Sequence, residues 1–151
     1  MVKVLMVCLG NICRSPLAEG ILKSKMSSEN VIVDSAGTAA YHIGNLPDSR
    51  SIEIAKKHGI DITPQRARAF LVSDFKSFDY IFVMDRSNYN NIISLAENSS
   101  EIAKVKMILN ELHAGDNLEV PDPYYGGNGG FENVYQLLDA SCDIIAKKIT
   151  N

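Results

Sequence analysis

The segment Cys8-Leu9-Gly10-Asn11-Ile12-Cys13-Arg14-Ser15-Pro16 sets a thiol ahead of a guanidinium and an adjacent hydroxyl, with five residues between thiol and guanidinium. Each residue type suits one task at a tetrahedral dianion. A thiolate is a strong nucleophile that can attack phosphorus in line and form a phosphocysteine intermediate. An arginine forks onto two oxygens with a geometry that lysine lacks. A helix N-terminus and a neighbouring guanidinium lower a thiol pKa from about 8.5 into the range of roughly 3.5 to 7.5, and Ser15 can donate its hydroxyl to the resulting sulfur anion. An isolated cysteine in an apolar run is more often a small buried hydrophobe. The context reverses that preference, because Cys, five residues, then Arg-Ser arises by chance in on the order of one in a hundred chains of this length.

Phosphate binding falls to the backbone of Leu9, Gly10, Asn11, Ile12 and Cys13. A loop that wraps into a helix start turns several N-H groups inward. Gly10 and Asn11 are the residue types that tolerate positive φ. A departing alkoxide or phenolate also needs a proton, which a thiolate cannot give. Gly115 to Gly130 holds five glycines and two prolines and offers Asp116, Glu119 and Asp122. From the residues alone all three acids stay open, although Pro121 and Pro123 restrict the backbone at Asp122 to extended conformations. Tyr124 and Tyr125 follow, and Tyr41 lies in another turn-rich stretch; aromatics around such a cradle can sandwich a phenyl ring.

The elements that must position these groups follow from apolar patterning. Val2 to Val7 reads as a buried parallel strand, and from Ser15 the residues Leu17, Ala18, Ile21, Leu22 and Met26 recur at helical spacing with Pro16 in the first turn. Val31 to Asp34 is a second strand, followed by a turn-rich segment from Ser35 to Pro47 and a helix from Asp48 that stops before Gly59. Asp79 to Asp85 is a third strand, Arg86 to Glu97 a helix and Lys104 to Leu109 a fourth strand. Phe131, Val134, Tyr135, Leu138, Cys142, Ile145 and Ile149 line one face of a long last helix. The alternation predicts an α/β fold: a four-stranded parallel sheet with helices on both faces and the phosphate-binding loop between the first strand and first helix.

The 151 residues suit one domain, 1–151, and 46% hydrophobic against 22% charged residues provides a core. A net charge of −3 argues against nucleic acid or anionic membrane as partners, so any anion site is local. Three cysteines make no disulfide framework, and a reducing, cytoplasmic setting is expected. The run Val4 to Leu9 is short for a signal sequence, and no stretch reaches the roughly 20 apolar residues of a membrane span. His42, His58 and His113 are scattered without zinc spacing and receive no catalytic role; Cys142 reads as core, and neither metal nor cofactor is needed.

VCLGNICRSP, with VDSAGT at Val33 to Thr38 and DPYYGG at Asp122 to Gly127, resembles the low-molecular-weight protein tyrosine phosphatases nearly end to end. The resemblance implies hydrolysis of phosphotyrosine and small aryl phosphates, with Cys8 as nucleophile, Arg14 as phosphate clamp, Ser15 as thiolate partner and Asp122 as general acid and then base. It also implies that Asn11, in a left-handed conformation, is held by Ser35, that Tyr41 falls at a variable rim position that tunes substrate preference while Tyr124 lines the opposite wall, and that Tyr124 and Tyr125 are candidate phosphorylation sites. Cys13 becomes the redox partner of Cys8 in a reversible disulfide. Members often carry His in an H-x-A-R-Q segment, where this chain has Gln65-Arg66-Ala67-Arg68-Ala69. Phosphate-like oxyanions would be ligands, and the state a monomer or weak dimer. The rival readings are a thiol-dependent arsenate reductase of the same fold, which relays through further downstream cysteines, a phosphocarrier with a Cys-based loop, and a non-catalytic phosphotyrosine-binding module, which would have lost Cys8, Arg14 or Asp122.

Overall fold

Residues with branched and apolar side chains on both faces of a strand need cover on both sides, and β1 (Val2–Cys8) has it. Val4, Met6 and Cys8 enter one apolar cluster, whereas Leu5 and Val7 enter the other. The structure, a computed structural model, describes residues 1–27, 29–125 and 128–150, and of Tyr125, Asn128 and Gly129 the backbone alone. β2 (Val31–Gly37) and β3 (Tyr80–Val83) flank β1, and β4 (Val105–Met107) pairs with β3. All pairings are parallel, in the order β2-β1-β3-β4.

The chain passes from β1 to β2 on one side and then crosses to β3 on the other. The crevice between the carboxyl ends of β1 and β3 is therefore the topological switch point where ligands of open α/β sheets bind. The loop after Cys8 opens there.

Helices α1 (Arg14–Lys25), α2 (Ser49–Lys57) and α6 (Asn128–Thr150) contribute Leu17, Ile21, Ala55, Val134, Leu138 and Ile145 to the first cluster. On the opposite face α3 (Asp74–Ser77) and α4 (Arg86–Ile93) supply Phe75 and Ile92. The short α5 (Ser99–Lys104) packs beside α3 and β4. The α/β architecture with helices on both faces is as the patterning predicts. No helix among the described residues is long and apolar enough to cross a membrane.

Several boundaries differ for local reasons. β2 runs three residues past Asp34 because Gly37 remains in register with Cys8. β3 stops before Asp85, whose carboxylate caps α4 by accepting from the Asn88 N-H, while the Asn88 side chain answers the Asp85 N-H. α4 ends at Ile93 rather than Glu97, since Asn98 opens α5 by capping Glu101. β4 is three residues long and gives way to a 3₁₀ turn at Ile108–Glu111. α3 was not anticipated, because four residues carry no readable period.

Gly37 stands where two backbones meet. A Cβ there would lie 2.8 Å from the Leu9 carbonyl oxygen, 3.1 Å from the Gly10 carbonyl carbon and 3.2 Å from the Ala39 carbonyl oxygen. These neighbours are main chain and cannot rotate away. Gly37→Ala is expected to cost about 1 to 3 kcal/mol through overpacking and to displace the loop after β1. A urea midpoint equal to that of the native chain would contradict this.

Candidate active site

The loop between β1 and α1 is held from outside by its carbonyls. Cys8 and Leu9 accept from the Thr38 and Ala39 N-H groups at 2.9 Å each, Ile12 from the Asp48 N-H at 2.8 Å and Cys13 from the Ser51 hydroxyl at 3.3 Å. With its carbonyls drawn outward, the loop has its own N-H groups left for the cavity, next to the N-terminus of α1.

Asn11 supplies the bend, with φ of +58°. Its side-chain oxygen accepts from the Arg68 backbone N-H at 2.9 Å, which can only donate, so the orientation of the amide is determined. The amide nitrogen then donates to Ser35 Oγ at 3.0 Å and Ser15 Oγ at 2.8 Å. Ser15 therefore accepts from Asn11, and its single proton is free to point at Cys8 Sγ, 3.0 Å away. On the far side Ser35 donates to Glu19 Oε1 at 2.6 Å. Burial pushes the Glu19 carboxyl up, opposed by its bonds from Lys23 and Ser35.

Arg14 is almost wholly enclosed, its side chain 3% exposed. Nη1 donates to Asp85 Oδ2 at 2.8 Å and to the Val120 carbonyl at 3.0 Å. A two-pronged grip on an anion thus falls to Nε and Nη2. Burial opposes the charge, but Cys8, Asp85 and Asp122 outweigh it and hold the guanidinium pKa above its ordinary value.

Asp122 approaches from the opposite wall. Its Oδ2 lies 3.9 Å from Arg14 Nη2, and its Oδ1 accepts from the Tyr124 N-H at 3.0 Å, closing a local turn between two prolines. Cys8, Leu9, Gly10, Ile12, Cys13 and Arg14 form the floor and one side of a cavity of about 280 Å³, with Asp122, Tyr124, Tyr41 and His42 above. The floor is polar and fixed, and the mouth aromatic. Tyr41, 76% exposed, stands at the rim.

Most of the residues named from sequence are brought together. Asn11 does not line the cavity; its side chain serves the network behind it. Gly10 is not in a left-handed conformation as its residue type suggested. The space it leaves is occupied by the His42 ring, whose Cδ2 would lie 2.9 Å from a Cβ there. His42, given no role from sequence, is a cavity residue. Asp116 is excluded from the cavity, and Glu119 is engaged with the Arg86 N-H at 2.9 Å. The Tyr125 side chain lies outside the described residues. Gln65 donates to the Pro16 carbonyl and does not reach Asn11 or Ser35, and its amide oxygen is buried without a hydrogen-bond partner. Cys142 is fully buried among apolar neighbours, which pushes its thiol up. Burial, then the nearby Asp48 and Cys8, push Cys13 up to about 12. Among the described residues no three His, Cys, Asp or Glu side chains are grouped to hold a metal ion.

Sequence reasoning missed Asp85, Glu19, Asp48 and the Arg68 N-H. Asp85 had a signal, the Asp-x-x-Asn spacing of a helix cap after a strand. Glu19 had none, since a charged residue at that position of α1 reads as solvated.

Residues 3–151 match the family model described as low molecular weight phosphotyrosine protein phosphatase. A putative low molecular weight protein-tyrosine-phosphatase of Synechocystis sp. is 46% identical over 144 residues, 93% of this chain and 91% of that protein. The crystal structure of a protein tyrosine phosphatase from Entamoeba histolytica with Hepes in its active site superposes with a TM-score of 0.92 at 39% identity, covering 99% of this chain and 97% of that one. Vibrio vulnificus Wzb in complex with benzylphosphonate gives 0.87 at 30% identity, covering 97% and 98%. With a match over nearly its whole length and a cradle of the matching sequence at the switch point of its sheet, the chain belongs to the low molecular weight phosphotyrosine protein phosphatase family.

Proposed function

We propose that the chain, acting as one domain, hydrolyses phosphotyrosine and small aryl phosphates through a phosphocysteine intermediate. The observation that carries this reading is the Ser15 hydroxyl, left by Asn11 with one proton to give, 3.0 Å from Cys8 Sγ on the cavity floor. That bond stabilises sulfur as an anion before attack and as a leaving group afterwards. Cys8 attacks phosphorus, the bond to the tyrosine oxygen breaks, and the Asp122 carboxyl passes its proton to that oxygen. A water molecule then gives a proton to the Asp122 carboxylate and attacks phosphorus, releasing inorganic phosphate and the Cys8 thiolate. Arg14 Nε and Nη2, with the loop N-H groups, balance the charge that develops on the phosphoryl oxygens. Benzylphosphonate, bound by Vibrio vulnificus Wzb, places an aromatic ring one carbon from phosphorus. The Tyr41 and Tyr124 walls suit such a ring, which a phosphoserine side chain lacks. Arsenate reduction lacks support, because Cys142 is buried in the core away from the cavity.

Cys13 fits a protective role. After peroxide converts the Cys8 thiolate to a sulfenic acid and hydroxide, the Cys13 thiolate attacks the sulfenic sulfur, forming the Cys8–Cys13 disulfide and expelling a second hydroxide. The setting proposed is the cytoplasm, where thiols return the pair to the reduced form.

Native protein is expected to turn over a phosphotyrosine peptide but not its phosphoserine counterpart, with loss in Cys8→Ser of more than about 10³-fold. Asp122→Ala should fall by about 10²- to 10⁴-fold, and by less for leaving groups that need no proton. Hydrolysis that survives Cys8→Ser would sink the reading. For the redox pair, a Cys13 pKa of about 12 makes its thiolate scarce at neutral pH and increasingly available as pH rises. The fraction of peroxide-treated enzyme that dithiothreitol restores should therefore grow from pH 6 to pH 9 in native protein and stay low throughout in Cys13→Ala. Equal recovery in the two proteins refutes the pairing.

A further inference from the structure

Besides the bond from the Val120 N-H to the Met84 carbonyl at 2.9 Å, a guanidinium holds the acid loop on each side of Asp122. Before it, Arg14 Nη1 holds the Val120 carbonyl at 3.0 Å; after it, Arg50 Nη2 holds the Tyr124 carbonyl at 3.3 Å. Each guanidinium is itself anchored on an aspartate. Arg14 uses Asp85, and Arg50 meets Asp48 with two prongs, Nε to Oδ1 at 3.0 Å and Nη2 to Oδ2 at 3.1 Å. Two fixed points four residues apart, with Pro121 and Pro123 between them, leave Asp122 little freedom of its own.

Asp48 is a suitable anchor because it belongs to the cradle's support. Its N-H holds the Ile12 carbonyl, and its carboxylate caps α2 by accepting from the Arg50 N-H at 2.9 Å. The Arg50 guanidinium carbon also lies 5.4 Å from the centre of the Tyr124 ring and 4.7 Å from that of Phe131 in α6. One planar cation thus joins the N-terminus of α2, the acid loop and the start of α6. A lysine could keep the charge but not the fork together with the flat face.

We propose that Arg50 is a positioning residue for proton transfer: by fixing the Tyr124 carbonyl to the Asp48 cap it sets the distance of the Asp122 carboxyl from the leaving-group oxygen. The proposal rests on the reading of Asp122 as the acid. Arg50 touches neither the Cys8 sulfur nor the cavity floor. Its removal leaves the Arg14 tether and the loop N-H groups in place, so oxyanion binding persists while the far limb of the acid loop loosens.

The test compares kcat/KM, which reports the step that forms phosphocysteine, for phenyl phosphate and 2,4-dinitrophenyl phosphate in native protein, Arg50→Met, Arg50→Lys, Asp122→Ala and the Arg50→Met/Asp122→Ala double variant. Inorganic phosphate serves as inhibitor. Arg50→Met should lose about 10- to 100-fold on phenyl phosphate and under about threefold on the dinitrophenyl ester, whose leaving group needs no proton. The phosphate inhibition constant should stay within about twofold, and Arg50→Lys should recover only part of the loss. In the Asp122→Ala background Arg50→Met should change neither ester further, as for two groups acting on one step. Equal losses on both esters, weakened phosphate inhibition in both Arg50 variants, or a further loss in the double variant would overturn the proposal. Native protein without Cys8-dependent turnover of either ester would overturn the reading of the site itself, an outcome distinct from uniform losses in an active enzyme.

Discussion

The orientation of one amide governs the chemistry available at Cys8. Were the Asn11 side chain reversed, its oxygen would face two serine hydroxyls as an acceptor, and Ser15 would give its proton to Asn11 rather than to sulfur. The Arg68 main-chain N-H prevents this, because it requires an oxygen opposite it. Since this donor is backbone, its direction depends on where the chain runs past the cradle. That course is set by the backbone bonds of Gly37 with Arg68 and Phe70 and of Ala67 with Gly44 and Asn45. The reactive end of β1 is thereby tied to a segment more than fifty residues later in the sequence, without any side chain from that segment entering the cavity.

Charge is arranged with similar economy. Asp85 and the Val120 carbonyl take one arm of Arg14, which fixes the guanidinium plane and leaves its other donors for an anion. Preorganisation of this kind matters because donors already aimed need no reorganisation when charge develops. The acidic total of the chain does not conflict with this. A cation enclosed with specific carboxylates remains charged, while surface acids beyond about 10 Å are screened.

What was legible in the sequence was what is contiguous. Cys8 to Ser15 could be read because strand, turn and helix start follow one another within one stretch, whereas Asp122 was set apart from Asp116 and Glu119 by the family resemblance alone. Of the supports, Ser35 was reached through the family resemblance, whereas Arg68 and Asp85 were not legible, since they come to the loop from other segments that only the fold brings together. Asn11 shows the division well: its left-handed backbone follows from residue type, but the direction of its amide depends on a partner 57 residues away. The extension of α4 to Glu97 had the opposite origin. Leu95 and Ala96 continue the helical spacing of Ile92, but the helix ends at Ile93 with Ser94 as its C-cap, and a separate helix opens at the Asn98 cap. His42 was missed because a lone histidine after a tyrosine carries no pattern; its place above Gly10 follows from the turn at residues 41–44.

The bond between Arg14 and the Val120 carbonyl spans 106 residues, and this bears on the order in which the protein becomes reactive during synthesis. A growing chain that has emerged as far as β4 already contains Cys8, Arg14, Asn11, Ser35 and Asp85. It lacks the carbonyl that shares Arg14, the carboxyl of Asp122 and the α6 residues that cover α1. Long-range closures of this kind come late in folding. A partly made chain thus holds its thiol without the groups that would put it to use, and the complete assembly first exists when the last helix docks.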